Sequence, residues 1–151
     1  MIYKIEKLDK ELIKQNMNNI LKVWESSVRA THFFLNESDI ITLKPFVEQG
    51  ALYVDDFLCI KEDTEIIAFI GIHEEKIEML FVSNNFRRKG IGKLLVTYGI
   101  SNYNIKYVDV NEQNQQGTIF YKHMGFNVFK KSQFDDYGNP YPILHMKLNN
   151  L

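Results

Sequence analysis

Apolar residues at Ile13, Met17, Ile20, Leu21, Trp24 and Val28 recur three or four positions apart, the spacing that gathers side chains on one face of a helix. A long amphipathic helix is therefore expected over residues 10–30. Ahead of it, residues 1–6 alternate apolar and polar positions, the two-residue period of a strand. Asn36 followed three residues later by Asp39 has the form of a helix N-cap, and Ile40, Ile41, Leu43 and Val47 carry a shorter second helix to about Gly50. Three apolar stretches come next, residues 57–61, 65–72 and 77–82. The polar pairs Asp63-Thr64 and Glu74-Glu75 between them mark an antiparallel meander. The remainder reads as a helix over 91–102, a strand over 106–110, a helix over 114–124, and strands over 126–134 and 141–147 around the turn-rich segment 135–140. About seven strands and four helices, without a repeat, linker or low-complexity stretch, predict a single mixed α/β domain over residues 1–151.

The junction after residue 82 adds chemistry to this pattern. An apolar strand passes through Ser83-Asn84-Asn85-Phe86 into Arg87-Arg88-Lys89-Gly90-Ile91-Gly92-Lys93 and straight into the helical positions Leu94, Leu95 and Tyr98. Glycines there let main chain approach a ligand closely, and the first amides of the helix point outward with the positive end of its dipole behind them. Arg87, Arg88, Lys89 and Lys93 add charge at the same place, so the loop is a candidate phosphate cradle. Two familiar phosphate loops do not fit. A P-loop needs Ser or Thr after Lys93, where Leu94 stands, and a dinucleotide fingerprint needs a third glycine where Leu95 stands. An ordinary basic turn is the competing reading.

Composition narrows the partners. Lys and Arg number 18 against 19 Asp and Glu, for a net charge of −1, so no global field draws nucleic acid or an anionic membrane, and any anion site is local. Acetylation of aminoacyl-tRNA is disfavoured for the same reason. A lone cysteine, Cys59, excludes an internal disulfide and a cysteine-based zinc site, and its neighbours Leu58 and Ile60 favour a buried thiol. The four histidines show no paired i, i+4 spacing, so no metal is expected. With no leader-like apolar segment at the N-terminus and no apolar run near the ~18 residues of a membrane span, a soluble cytoplasmic protein is expected, as a monomer or a homodimer.

Arg87-x-x-Gly90-x-Gly92 after an apolar strand resembles the Gln/Arg-x-x-Gly-x-Gly/Ala signature of the GNAT N-acetyltransferase superfamily. About twenty residues on, Val110-Asn111-Glu112-Gln113-Asn114 leads into Phe120-Tyr121-Lys122-His123-Met124-Gly125-Phe126, which is similar to that family's strand, asparagine and helix ending. Ala30-Thr31-His32-Phe33-Phe34-Leu35 and the late segment 135–142 resemble the bacterial YjaB-type branch. The resemblance implies a GNAT-like fold with acetyl-coenzyme A as cosubstrate, and a splay between the fourth and fifth strands where Leu80, Phe81 and Val82 present main chain to the pantetheine arm. Arg87 to Lys93 would then bind the pyrophosphate. Asn111 and Asn114 would form the opposite wall, unless they are only a strand end and a helix cap. Gly117, where relatives often carry alanine, costs a little helix propensity and touches no chemistry.

Acetyl transfer to an amine needs a neutral amine, a polarised carbonyl and a proton for the departing thiolate. Tyr121 matches the family position whose phenol protonates the coenzyme A sulfur. A backbone amide within residues 80–82 would polarise the carbonyl. Glu78 is the candidate general base, because strand alternation places it on the face of Leu80 and Val82; a half-exposed sheet glutamate is the plain alternative. His32, Phe33 and Tyr141 are candidate walls of the acceptor pocket, with a core histidine as the alternative for His32. His73 and His145 are placed beside the same cavity and His123 on a helix surface. Asp135 and Asp136 either attract a cationic amine or merely build a turn. The acceptor itself, small molecule, amino acid or peptide, is left open, as is a non-catalytic acyl-coenzyme A sensor.

Overall fold

The hydrophobic periods translate into a sheet clasped by helices in the computed structural model, which describes residues 3–149. In chain order the elements are β1 (Ile5–Lys7), α1 (Lys10–Gln15), α2 (Met17–Thr31), α3 (Glu37–Tyr53), β2 (Asp56–Glu62), β3 (Glu65–His73), β4 (Lys76–Val82), α4 (Ile91–Tyr103), β5 (Tyr107–Asn111), α5 (Gln115–His123), β6 (Phe126–Ser132) and β7 (Ile143–Leu148). A 3-10 turn, Asn84–Phe86, leads out of β4. The seven strands form one sheet in the order β1-β2-β3-β4-β5-β7-β6. Every neighbouring pair is antiparallel except β4 and β5.

Two departures from the expected helices have local causes. The helix expected over 10–30 breaks at Asn16, whose amide reaches the carbonyls of Leu12 and Ile13 while its side chain donates to Leu12. An asparagine offers the backbone such alternative bonds, so five helices form where four were expected. The next helix starts as expected, with Asn36 and Asp39 exchanging side-chain and backbone hydrogen bonds at 2.8 and 2.9 Å, a cap of about 1 kcal/mol. It then runs past Pro45 and Gly50 to Tyr53, because Val47 and Ala51 are buried against the sheet and tertiary packing outweighs a weak helix former. Of the strand expected over residues 1–6, Met1 and Ile2 lie outside the described residues, and pairing starts at Ile5.

The last hairpin is shorter than its apolar pattern. Oδ1 of Asp135 accepts from the amides of Tyr137 and Asn139 at 3.0 and 2.8 Å, so residues 133–142 wrap around a carboxylate instead of extending the ladder. Tyr141 thereby falls in the loop, and β7 begins at Ile143.

Two apolar layers sandwich the sheet. Leu58, Ile60, Ile70, Ile72, Ile77, Val108, Val110 and Met146 face α4 and α5, packed with Leu95, Val96 and Tyr121. Phe57, Cys59, Ile66 and Phe69 face α2 and α3, packed with Ile20, Trp24 and Val47. Cys59 is fully buried, which pushes its thiol up to about 11 and makes it a poor nucleophile. Since α1 to α3 cover only one end of their face, the same face of β5, β7 and β6 stays open and carries Asp109 and His145 beside the exposed rings of Tyr107 and Phe129.

Candidate functional site

β4 and β5 pair over only two positions, Lys76 with Tyr107 and Ile77 with Val108. A cavity of about 480 Å³ follows where that pairing stops, lined by residues 77–82 of β4 and 108–111 of β5. Main chain of Leu80, Phe81 and Val82 is bonded to β3 on one side and borders the cavity on the other. A bulge helps to shape this edge. Ile72 pairs with Ile77 and Gly71 with Met79, which leaves Glu78 as the extra residue. The alternation expected for Glu78 therefore fails. Ile77 packs in the layer of Leu80 and Val82, Met79 and Phe81 pack in the opposite layer, and Glu78 is exposed at the cavity wall.

At one end of the cavity stand the N-termini of α4 and α5. Arg88 and Gly90 hold positive φ angles, 63° and 77°, which turns the loop tightly into α4. The six consecutive amides from Arg88 to Lys93 donate to no described residue, and α4 has no side-chain cap. Such a run of outward N–H groups, at the positive end of a helix and beside Arg87, Arg88 and Lys93, is built for a multiply charged anion. Arg87 is braced by Gln116 and by Asn84. Lys89 departs from expectation: its ammonium lies over the Phe86 ring, 5.2 Å from the centroid, and it is not among the residues that line the cavity. Asn114 caps α5 through its Oδ1, 3.1 Å from the amide of Gly117, and Asn111 Oδ1 accepts from Gln113 at 3.1 Å. Both asparagines also line the cavity. A Cβ at Gly117 would lie 2.4 Å from Nδ2 of Asn114, so Gly117 makes room for a wall residue and is not the neutral position it resembles.

Tyr121 stands in the middle of the cavity wall, edge-on to Phe120 and Phe126 at 5.0 and 5.7 Å. Burial pushes its phenol well above the ordinary value, so the proton stays in place at neutral pH. On the far side of the sheet, Ser27, Thr31 and His32 of α2 and its C-terminus close the cavity. Burial holds the His32 imidazole down to about 4, which keeps it neutral. Asp109, unnoticed in the sequence, lines the same end. Its Oδ2 accepts from Lys76 at 2.6 Å and its Oδ1 meets Nδ1 of His145 at 2.7 Å, while Nε2 of His145 meets Ser132 at 2.7 Å. This polar chain crosses the open face of four strands.

With the cradle, the buried phenol and the gap between two strands in place, known proteins decide the family. The profile of the acetyltransferase (GNAT) domain matches residues 36–149. The chain is a GNAT acetyltransferase. It is 34% identical to the peptidyl-lysine N-acetyltransferase YjaB of Salmonella typhimurium, over 84% of this chain and 88% of that one. Against the peptidyl-lysine N-acetyltransferase YiaC of Escherichia coli the identity is 26% over 79% of the chain. The solution structure of apo YjaB from Escherichia coli superposes with a TM-score of 0.86 at 28% identity, each chain covered in full. A PaiA N-acetyltransferase from Thermoplasma acidophilum, solved with coenzyme A, shares the fold at a TM-score of 0.71 and 23% identity, each chain covered to 99%.

Within this GNAT domain some expected acceptor residues are displaced. Phe33 is 78% exposed, because the turn closed by the Leu35 amide on the His32 carbonyl, 3.0 Å, puts it at the tip. Phe34, the next residue, turns inward and bridges His32 and Tyr141 at ring distances of 5.4 and 5.7 Å. Tyr141 thus supports the wall from behind and is not part of the lining. His73 and His145 do not line the cavity either. His73 packs on Tyr53 at 4.3 Å, and His145 reaches the cavity only by its contact with Asp109. His123 is exposed on α5, as expected. Alternation along β5 puts Asp109 on the face away from Val108 and Val110, yet its partners come from β4 and β7, and nothing local in the sequence announces them.

Proposed function

We propose that this chain transfers the acetyl group of acetyl-coenzyme A to a primary amine by direct attack in a ternary complex, with the ε-amine of a peptidyl lysine as the favoured acceptor class. The observation that carries the reading is the run of free amides from Arg88 to Lys93 at the mouth of a cavity threaded between β4 and β5. Such a cradle suits the pyrophosphate. The edge of β4 from Leu80 to Val82 suits the amides of a pantetheine arm as an added strand would. Lysine is favoured by the names of the relatives and by charge. Glu78, Asp109 and nearby Asp136 put three carboxylates around one ammonium, Lys76, at the acceptor end, a surplus that suits a cationic substrate.

The chemistry balances with few groups. The amine nitrogen, having lost its extra proton to water, attacks the thioester carbon; the C–N bond forms and the C–S bond breaks. A backbone amide of the β4 edge polarises the carbonyl oxygen. Tyr121 gives its phenol proton to the sulfur, and the proton shed by the new amide nitrogen returns to the phenolate through water. Glu78, exposed at the bulge, would collect that ammonium proton directly or through the water that takes it. Equal pH–rate profiles for the parent enzyme and Glu78→Gln would remove it from that role. The decisive test measures thiol release from acetyl-coenzyme A against amines, amino acids and lysine peptides, with mass spectrometry of the product. The expected result is binding of acetyl-coenzyme A in the calorimeter and acetylation of a lysine peptide. Absence of any calorimetric heat would end the proposal.

A further inference from the structure

Thr31 closes α2 with its hydroxyl 2.9 Å from the carbonyl of Ser27. A carbonyl oxygen only accepts, so the single hydroxyl proton is committed to it. The same Oγ1 lies 2.7 Å from Nδ1 of His32. Having given its proton to Ser27, Oγ1 can only accept there, so Nδ1 carries the hydrogen of the neutral ring. The other nitrogen, Nε2, is then a bare lone pair. Nε2 makes no hydrogen bond to a described residue and does not rank among the sealed, unsatisfied polar atoms, of which His73 Nδ1 is the one instance among the described residues. The ring lines the cavity and is held from behind by Phe34. Of the other polar groups at this end, both oxygens of Asp109 are occupied by Lys76 and His145.

We propose that Nε2 of His32 accepts an N–H of the incoming amine and so aims the nitrogen lone pair at the thioester carbon. This rests on the acetyl-transfer reading above. The bond fixes one hydrogen of the uncharged amine and leaves the lone pair free to attack; the opposite tautomer would point an N–H at that lone pair and consume it. Thr31 is the positioning residue that decides between the two. No charge develops on the ring, in keeping with an environment that disfavours imidazolium. The hydrogen on nitrogen leaves to water after the C–N bond forms, while sulfur takes its proton from Tyr121.

His32→Phe keeps the ring volume and removes the acceptor. With acetyl-coenzyme A and an N-terminally blocked lysine peptide, kcat/KM for the peptide is expected to fall at least tenfold, as for loss of one oriented hydrogen bond, while calorimetric affinity for acetyl-coenzyme A stays within about twofold. Thr31→Val, which is isosteric, lowers the same kcat/KM several-fold with His32 intact. His32→Asn, which still offers an acceptor, recovers part of the loss. Nitrogen-15 NMR of the imidazole at neutral pH supplies a readout independent of turnover: Nδ1–H in the parent and a tautomer mixture in Thr31→Val. An Nε2–H tautomer in the parent, or an unchanged kcat/KM in folded His32→Phe, overturns the inference and leaves the acetyl-transfer reading standing. A parent protein that binds no acetyl-coenzyme A overturns both. If His32→Phe does not fold, the Thr31→Val kinetics and the NMR tautomer decide.

Discussion

The two ends of the cavity are made of different material. At the α4 end the contacts offered are backbone amides, presented by a loop that is continuous in sequence from Arg87 to Lys93. At the acceptor end they are the side chains of His32, Glu78 and Asp109 from α2, β4 and β5, with His145 of β7 and Ser132 of β6 behind Asp109. A main-chain cradle depends on φ and ψ and tolerates most side chains, provided glycine stands where the turn needs it. A wall of side chains from three elements, braced from behind by two more, depends on how the whole fold brings them together.

The sharpest way to test this contrast is to change the buried phenol of the cavity wall. Tyr121→Phe is expected to lower turnover about 10²- to 10⁴-fold, the usual weight of a general acid, with acetyl-coenzyme A affinity nearly intact; thiol-release rates and calorimetry read the two effects separately. Unchanged turnover would strip Tyr121 of its role. Next in size is Gly90→Val. A β-branched residue at a φ of 77° is strained by about 1–3 kcal/mol, although a Cβ there meets nothing within 4 Å. The loop is expected to relax and weaken acetyl-coenzyme A binding about tenfold, without altering the KM for an amine. Loss of amine affinity with cofactor binding retained would mean that the two ends are not separable.

Legibility in the sequence follows the same division. The meander over 57–82, the glycine loop and the helix after it are local patterns, and their positions in the fold match what periodicity and loop chemistry predict. The place of Tyr121 in the cavity wall was reachable because it sits inside a contiguous motif. Glu78 was misplaced because a bulge changes the face of a strand without leaving a residue-type signature. Phe33 and Tyr141 were misplaced for a related reason: a turn at 32–35 and an Asp135-centred loop decide where an aromatic points, and hydrophobicity alone does not. Asp109 was missed because its partners, Lys76 and His145, lie 33 and 36 residues away in the chain.

A smaller effect tests the acceptor end through stability. The ring of His32 titrates near 4 in the folded chain and near 6.5 when unfolded, so between those values the unfolded chain binds a proton that the folded chain refuses. Stability is then lost as pH falls from about 6.5 to about 4, and not above that window. The full gap would amount to more than 3 kcal/mol; the ring is partly exposed along the cavity, so about 1–2 kcal/mol is expected after solvent screening. Urea midpoints of the parent and His32→Phe, compared across that range, isolate the contribution from the carboxylates common to both. Parallel curves would show that the ring is not held in a desolvated wall.

The smallest expected effect is the most diagnostic of how the cofactor end is built. In Gly117→Ala the new Cβ would fall 2.4 Å from Nδ2 and 2.9 Å from Cγ of Asn114, and the amide would have to leave its cap on α5. Alanine gains up to about 1 kcal/mol over glycine in a helix, and losing an asparagine cap costs about the same. The two nearly cancel, so the melting temperature should barely move. In an Asn114→Ala background the cap is already gone and so are the three atoms nearest the methyl group, all of them from the asparagine amide, so the same Gly117→Ala change is expected to stabilise by about 0.5–1 kcal/mol. Equal effects in the two backgrounds would mean that Asn114 does not need the space above Gly117, and that the glycine is there for propensity alone. A coupling of the expected sign, joined to weaker acetyl-coenzyme A binding in the single variant, would identify Gly117 as the residue that holds a wall of the cavity in place by having no side chain.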